Sequence, residues 1–281
     1  MAWLRGLLGM AIIGGVALGL GAAAGGLGMT VAALALGLNL LAFVPAAALR
    51  TERFYDLVGS LTFTAIVFYV VNAGSGSERV FQVGCAILLW AARLGSFLVR
   101  RVHREGGDGR FDEMKTQPPR FLLAWSLQAL WASTTTLPLV ALDAAGGGSP
   151  ALGLGDLLGG GIWLLGFGLE VLADRQKEAF KQNPANRGRF IQGGLWSRCQ
   201  HPNYLGEILL WVGLFVVAAP HLSGAGFVAV LSPLFITLLL TRVSGIPLLQ
   251  QRAKARWGHD PDFQRYQRVT PLLLPIGPRP D

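Results

Sequence analysis

Charge is scarce in this sequence. Asp, Glu, Lys and Arg together make up 14% of its 281 residues, against about a quarter in soluble globular domains. Residues 6–49 carry no charge at all. Cysteine is nearly missing: Cys85 and Cys199 are the whole supply. The four histidines are scattered, with no His-x-x-x-His or Cys-x-x-Cys pair. Those gaps exclude a disulfide framework and a metal cluster of ordinary spacing. The lack of charge argues against a soluble chain.

Apolar residues fill the space: 52% of the chain is hydrophobic, and the mean hydropathy is +0.47. They fall in blocks of roughly 17–25, the length that crosses a bilayer as a helix. The reading is an all-α, polytopic membrane bundle. Two spans fit within residues 6–49, with Gly25 and Gly26 as the turn. Further spans are expected near 56–72, 80–99, 121–142, 151–172, 203–219 and 224–243. The total is eight, or seven if the Gly-rich start is counted differently. The N-terminal run is too long for a signal peptide and no soluble domain follows it, so it is read as a span. The GGGSP stretch (146–150) and Pro220 mark short uncharged turns.

The excess of basic residues, +8 in formal net charge, reads as membrane orientation rather than nucleic-acid binding. Of the 24 Lys and Arg, 22 fall at the N-terminus, in 50–55, 100–120 and 173–202, or after 241. Arg79 alone lies in an intervening loop, and Arg93 lies within a span. That asymmetry places both termini in the cytoplasm. The tail after residue 245 is not a span. It reads as a short basic helix ended by Gly258 and restarted after Pro261, with Trp257, Phe263 and Tyr266 on an apolar edge. Such a segment lies at the interface or forms a cytoplasmic lid over a pocket.

Ionisable groups at membrane depth are costly and face a cavity or a partner. The candidates are Asp56, Arg93, Glu170, Asp174 and Glu207. Asp56 opens the third span; it either pairs with Arg93 or lines a substrate cavity. Glu170 and Asp174 share one helix face, continued by Lys177 and Lys181. That face is either a salt-bridged helix end or a set of partners for a ribose-phosphate ligand. The stretch GLWSRCQHPNYLGEILLWVG (194–213) is richer. Pro202 suits a first helical turn. Asn203, Glu207 and Trp211 then stack on one face, with Tyr204 beside Glu207. Arg187, Arg189, Arg198 and His201 precede them, and arginine's planar fork suits phosphate. Anionic lipid contact explains the basic residues equally well, but it does not explain an amide and a carboxylate inside an apolar run.

RFIQGGLWSRCQHPNYLGEILLWVG closely resembles the core of the steroid 5-alpha-reductase superfamily, above all its bacterial branch of membrane proteins. Gln192–Leu195 and Asn203–Glu207 carry the likeness, with Trp211 and Gly213; it covers about residues 50–275. The resemblance implies a membrane reductase of the bacterial inner membrane that binds NADPH from the cytoplasmic side. It would reduce a carbon–carbon double bond conjugated to a carbonyl in a steroid-like or isoprenoid lipid. No nucleic acid, metal or obligate protein partner is implied. Residues 1–49 would form an N-terminal hairpin and 50–281 the reductase-like domain, with its cofactor half at about 150–281.

Carried over by position, Asp174, Lys181, Asn203, Tyr204 and Glu207 contact the cofactor, with Glu170 where the steroid enzymes have Asn. Arg252 and Tyr266 are weaker matches, and Arg198 and His201 join them from the basic loop. The steroid enzymes polarise the substrate ketone with a Glu and a Tyr. Asp56 occupies the first position here and Trp90 the second. An indole donates only N–H and cannot deliver a proton as a phenol does, so Tyr55 or Tyr69 is expected to supply the acid. The alternative activity is a methyltransferase using S-adenosylmethionine, because isoprenylcysteine carboxyl methyltransferases are similar around His201, Pro202 and Tyr204. Their tail Glu-Glu pair is replaced here by Gln250 and Gln251. A non-catalytic lipid-binding protein is the third reading.

Overall fold

The computed structural model describes residues 1–148 and 151–275. Ser149 and Pro150 of the expected turn, and Arg279, lie outside them. Among the described residues the chain is helical and has no strand. Among the described residues, seven helical segments are long and apolar enough to cross a membrane. They are α1 (Ala2–Ala24), α2 (Gly28–Leu49), α3 (Tyr55–Ala73), Glu78–Arg104 of α4 (Glu78–Glu105), α7 (Leu154–Gln182), Pro202–His221 and Gly224–Trp257. Gly25 and Gly26 turn the chain between α1 and α2 at φ 78° and 49°, a region that glycine enters without steric cost.

The segment expected as a span at 121–142 is different. It forms α5 (Pro118–Thr135) and α6 (Leu137–Ala144), two helices joined at Thr136 and buried along most of their length. Ser126, Gln128, Ser133, Thr134 and Thr135 are all buried on α5. The hydroxyls of Ser126, Ser133, Thr135 and Thr136 donate to carbonyls one turn back, at 2.7–2.9 Å, so these polar groups need no water. Pro138 has no N–H to continue the ladder, and the Ser232 hydroxyl donates to the Thr135 carbonyl at 2.8 Å beside this joint.

The chain divides into two compact units, Met1–Gly155 with Ala218–Ser232, and Asp156–Val217 with Pro233–Asp281. Unit 1 contains the N-terminal hairpin, which is not set apart: α1 packs on α2 and α5, and α2 packs on α3. Its core includes Ala46, Phe111, Phe121 and Trp125, with Phe43, Phe54 and Tyr55 against them. Arg79, in the first turn of α4 rather than in a loop, is 5% exposed. It donates to the carbonyls of Gly147 and Ala151 at 2.7 and 2.9 Å, tying down the glycine-rich turn after α6. Unit 2 holds α7 and α8 (Pro202–Ala218), then a π-helical turn (Leu239–Val243) following α9 (Leu231–Leu238). The tail forms α10 (Ile246–Trp257) and α11 (Pro261–Val269), the two short helices that Gly258 and Pro261 predict.

Candidate functional site

In unit 2, α7 and α8 approach until their backbones touch. A Cβ on Gly166 would lie 2.5 Å from the Leu210 nitrogen and 2.6 Å from the Gly206 carbonyl; one on Gly206 would lie 2.6 Å from the Glu170 nitrogen. Gly213 and Gly159 repeat the arrangement two turns away, again at 2.6 Å. Small residues permit this approach in apolar surroundings, where packing rather than water drives association. The crossing carries polar groups inward. Glu170, Asp174 and Glu207 are buried, at 2%, 6% and 9% exposure. Asn203 donates from Nδ2 to Asp174 Oδ1 at 3.2 Å. Four of the residues expected at the cofactor site, Glu170, Asp174, Asn203 and Glu207, therefore sit on the facing surfaces of one helix pair.

The loop from 187 to 201 is fastened to these helices. Gln176 on α7 accepts from the Leu195 N–H at 2.9 Å. A side chain on Gly194, which has φ 62°, would strike Gln176 at 2.6 Å, so the second glycine of Gln192–Leu195 meets a steric need. Trp196 is buried and donates from Nε1 to the Ala173 carbonyl at 3.1 Å, while Lys177 Nζ lies 4.6 Å from its ring centre. The tail closes over the loop. Tyr266 donates its hydroxyl to the Trp196 carbonyl at 2.7 Å, and the Trp257 indole donates to the Gly188 carbonyl. Gln200 bonds the tail from N to the Pro271 carbonyl at 2.8 Å and from Nε2 to the Thr270 carbonyl at 2.7 Å. Phe190 packs its ring on Trp257, Phe263 and Tyr266.

Between loop and tail lies a groove of about 590 Å³, lined by Gln176, Asn186, Arg189, Phe190, Gln192 and Asp262 among others. A second hollow of about 340 Å³ shares Gln192 and Asp262 and adds Arg265 and Tyr266. His201 is buried at 8% exposure and stacks on Tyr204, with ring centres 5.5 Å apart. Burial, helped by the positive charge of Lys177, lowers its pKa to about 4, so it is neutral at pH 7. Its Nδ1 is buried without a hydrogen-bond partner among the described residues. Burial raises the pKa of the Cys199 thiol and of the Tyr266 phenol. Lys181, Arg198 and Arg252 are exposed on the same unit.

In unit 1, Tyr55 and Asp56 are engaged in structure. The Tyr55 hydroxyl donates to the Ala124 carbonyl at 2.9 Å, with its ring against Phe111 and Trp125. Asp56 faces Arg101 and Arg110, each at 3.7 Å. Its partners are thus these two arginines and not Arg93, whose guanidinium lies over the Phe97 ring at 5.4 Å. Trp90 is 1% exposed and meets Phe63 edge-on at 5.0 Å and Trp131 at 6.0 Å. Tyr69 is half-buried on α3.

The charges around Asp56 belong to a larger network that the sequence did not reveal. Asp108 accepts from Arg110 Nε at 2.8 Å and from Arg101 Nη2 at 3.0 Å. Glu52 accepts the Asp108 N–H and Lys115 Nζ, both at 3.0 Å. Burial alone would raise the pKa of both carboxyls. For Glu52 the bonds from the Asp108 N–H and Lys115 outweigh it; for Asp108 those from Arg110 and the nearby Arg101 charge do so. Both carboxyls therefore end below the ordinary carboxylate range. Glu52 stands 56 residues before Asp108 in sequence, and only the fold brings it to the 101–115 segment. The paired glycines at 159/166 and 206/213 were missed, although their repeat of two turns in two apolar helices was a signal that could have found them.

The fold and the polar crossing define a class, a polytopic helical membrane protein with buried carboxylates on a glycine-packed helix pair. Residues 42–270 match the family described as Protein of unknown function (DUF1295), so the chain belongs to that family. No curated protein and no solved structure matches it.

Proposed function

We propose that this protein is a membrane reductase that uses NADPH to reduce a carbon–carbon double bond conjugated to a carbonyl in a steroid-like or isoprenoid lipid. The observation that carries the reading is the buried carboxyl set Glu170, Asp174 and Glu207 with the half-buried Asn203 bonded to Asp174, in the same unit as a groove lined by Arg189. The motif residues Gln192–Leu195 and Asn203–Glu207 support it by their resemblance to steroid 5-alpha-reductases.

The residues present fit a dinucleotide. The groove is of ligand size. Arg189 lines it, Arg265 lines the adjoining hollow, and both suit phosphate. The buried His201 Nδ1 has hydrogen-bonding capacity to offer. When bound, the cofactor supplies hydride. The chain's part is to bind and to exclude water. Arg189, with Arg198 and Lys181, meets phosphate. Asn203 and Glu207 hydrogen-bond the nicotinamide end, and Asp174 holds the Asn203 amide in register. The tail, pinned by Tyr266 and Trp257, keeps water from the site, which strengthens these polar contacts.

The three buried carboxylates favour a second reading, because they also suit the sulfonium charge of S-adenosylmethionine. One titration separates the two. The full-length protein in detergent is heated with NADPH or with S-adenosylmethionine. At one hundred times Kd a ligand of the folded state adds about 2.7 kcal/mol of stability, so NADPH is expected to raise Tm and S-adenosylmethionine to leave it unchanged. Arg189→Ala should weaken the NADPH effect. A rise with S-adenosylmethionine alone reverses the assignment, and no rise with either defeats both and leaves lipid binding without catalysis.

A further inference from the structure

The groove and the hollow of unit 2 present different charge to a ligand. On α11, Asp262, Arg265, Tyr266 and Val269 follow a spacing of three, four and seven residues, which keeps side chains on one helix face. All four line the hollow of about 340 Å³. Asp262 also lines the groove of about 590 Å³, as does Gln192. The groove and the hollow therefore adjoin along these two residues.

Opposite charges meet here without pairing. Asp262 and Arg265 are three apart on a helix, a spacing at which ion pairs form readily. Yet among the described residues no carboxylate oxygen lies within 4.0 Å of a nitrogen of Arg265 or Arg189, and no cation within that distance of Asp260 or Asp262. The four groups stay available to a ligand.

The bonds already made inside the fold sharpen the contrast. At the groove, Asp260 Oδ1 accepts from the Asp262 N–H at 2.9 Å, and Asn186 donates from Nδ2 to the Phe180 carbonyl at 3.0 Å. Asn186 Oδ1, the second oxygen of Asp260 and both oxygens of Asp262 are left as acceptors, beside the apolar walls of Phe180 and Phe190. Sugar hydroxyls and the amino group of a base are donors that suit such a surface, whereas two carboxylates repel phosphate. Arg189 supplies the positive charge of the groove, away from both carboxylates. In the hollow, the Tyr266 hydroxyl donates to the Trp196 carbonyl at 2.7 Å and the Ser197 hydroxyl to the Gly194 carbonyl at 2.8 Å. Both hydroxyl hydrogens are thus used within the fold. Arg265 supplies the positive charge there, and its planar fork suits phosphate oxygens.

Two arginines in adjoining compartments distinguish among nucleotide cofactors. NADPH carries phosphate on two sides of its adenosine ribose, the pyrophosphate at the 5′ oxygen and a single phosphate at the 2′ oxygen. NADH carries the first alone, and S-adenosylmethionine carries neither. We propose that Arg265 binds the 2′-phosphate of NADPH in the hollow, with the adenosine in the groove and its pyrophosphate on Arg189. Asp262, where the two compartments meet, accepts from a ribose hydroxyl. Arg265 is then the residue that selects NADPH over NADH, as an arginine beside the ribose does in other dinucleotide sites. This assignment rests on the NADPH reading, and every residue in it belongs to unit 2.

The test follows Tm of the full-length protein in detergent against the concentration of NADPH and of NADH. The wild type is expected to need about tenfold less NADPH than NADH for the same shift, the size of a charge-assisted contact. Arg265→Ala should weaken NADPH about tenfold and leave NADH unchanged, so that the two become equal. Arg265→Lys should restore part of the preference. Arg265 is exposed, so Tm without ligand should stay where it is. Arg189→Ala should weaken both dinucleotides alike, because both carry the pyrophosphate. Equal weakening of NADPH and NADH by Arg265→Ala would place Arg265 on the pyrophosphate, and no weakening of either would place it on no phosphate. Either result overturns this assignment and leaves the cofactor reading standing, as does a wild type that binds NADH as tightly as NADPH. A wild type that responds to neither dinucleotide defeats the cofactor reading and this assignment together.

Discussion

His201 concentrates much of the residue-scale chemistry of unit 2. The unfolded chain binds its proton near pH 6.5, whereas the folded chain resists it down to about 4. Its contribution to stability is therefore complete above pH 6.5, declines as the pH falls, and is lost by about pH 4. A gap from 6.5 to about 4 amounts to on the order of 3 kcal/mol at about 1.36 kcal/mol per unit. Glu52 and Asp108, both held low, act in the same direction. Their contribution is present above the unfolded carboxylate pKa and disappears as the pH falls through their depressed values. Thermal melts from pH 7.5 down through the carboxylate range should show a falling Tm. His201→Phe should flatten the part between 6.5 and 4.5 and leave the more acidic part, whereas an unchanged slope would assign the loss to other groups. Glu207→Gln keeps the shape of the side chain and removes its charge. It is expected to lower NADPH affinity about tenfold, the size of one charge-assisted hydrogen bond of roughly 1.4 kcal/mol, as read by the shift in Tm against cofactor concentration.

At the scale of elements, the α7–α8 crossing makes a sharp contrast between glycines of one chain. Gly206→Ala sets a methyl 2.6 Å from the Gly166 carbonyl and the Glu170 nitrogen. Overpacking of this kind costs about 1–3 kcal/mol, and because the obstacle is backbone the helices must part. Gly160, on the same α7, has nothing within 4 Å of its would-be Cβ. Gly160→Ala should therefore be neutral or stabilising by up to about 1 kcal/mol through helix propensity. Tm in detergent measures both, and equal effects would contradict the crossing. The network of Glu52, Asp108, Arg110 and Lys115 holds the 106–117 segment against α3 and α4. Removing one partner strands buried charge, at about 3–5 kcal/mol. Asp108→Ala is expected to make that segment sensitive to limited proteolysis while the α7–α8 pair stays protected.

At the scale of the whole molecule, the basic segments make topology testable. With Cys85 and Cys199 replaced by serine, single cysteines at Arg187 and at Glu78 should label from opposite sides of membrane vesicles. Arg187→Cys should react on the cytoplasmic side, as the positive-inside asymmetry requires; labelling of both from one side would refute that orientation. Much of the fold was legible because hydropathy is additive along the chain. The α1–α2 turn at Gly25 and Gly26, the long α7 and the broken tail helix all follow from local composition. Helix α5 was harder to read. Its apolar residues suggested a span, but Gln128 and the Ser/Thr cluster make it an interior helix walled by others.

The sequence by itself determined the helical membrane class and the polar face of α8, since each depends on spacing within one element. Only the tertiary structure decided which partners those groups have. It gave Asp56 two arginines in place of Arg93, set Trp90 in an aromatic cluster and joined Asn203 to Asp174. Pairing across helices depends on which faces meet, and that is settled by the packing of glycine-lined backbones and by the closure of loops, neither of which is encoded at any single position.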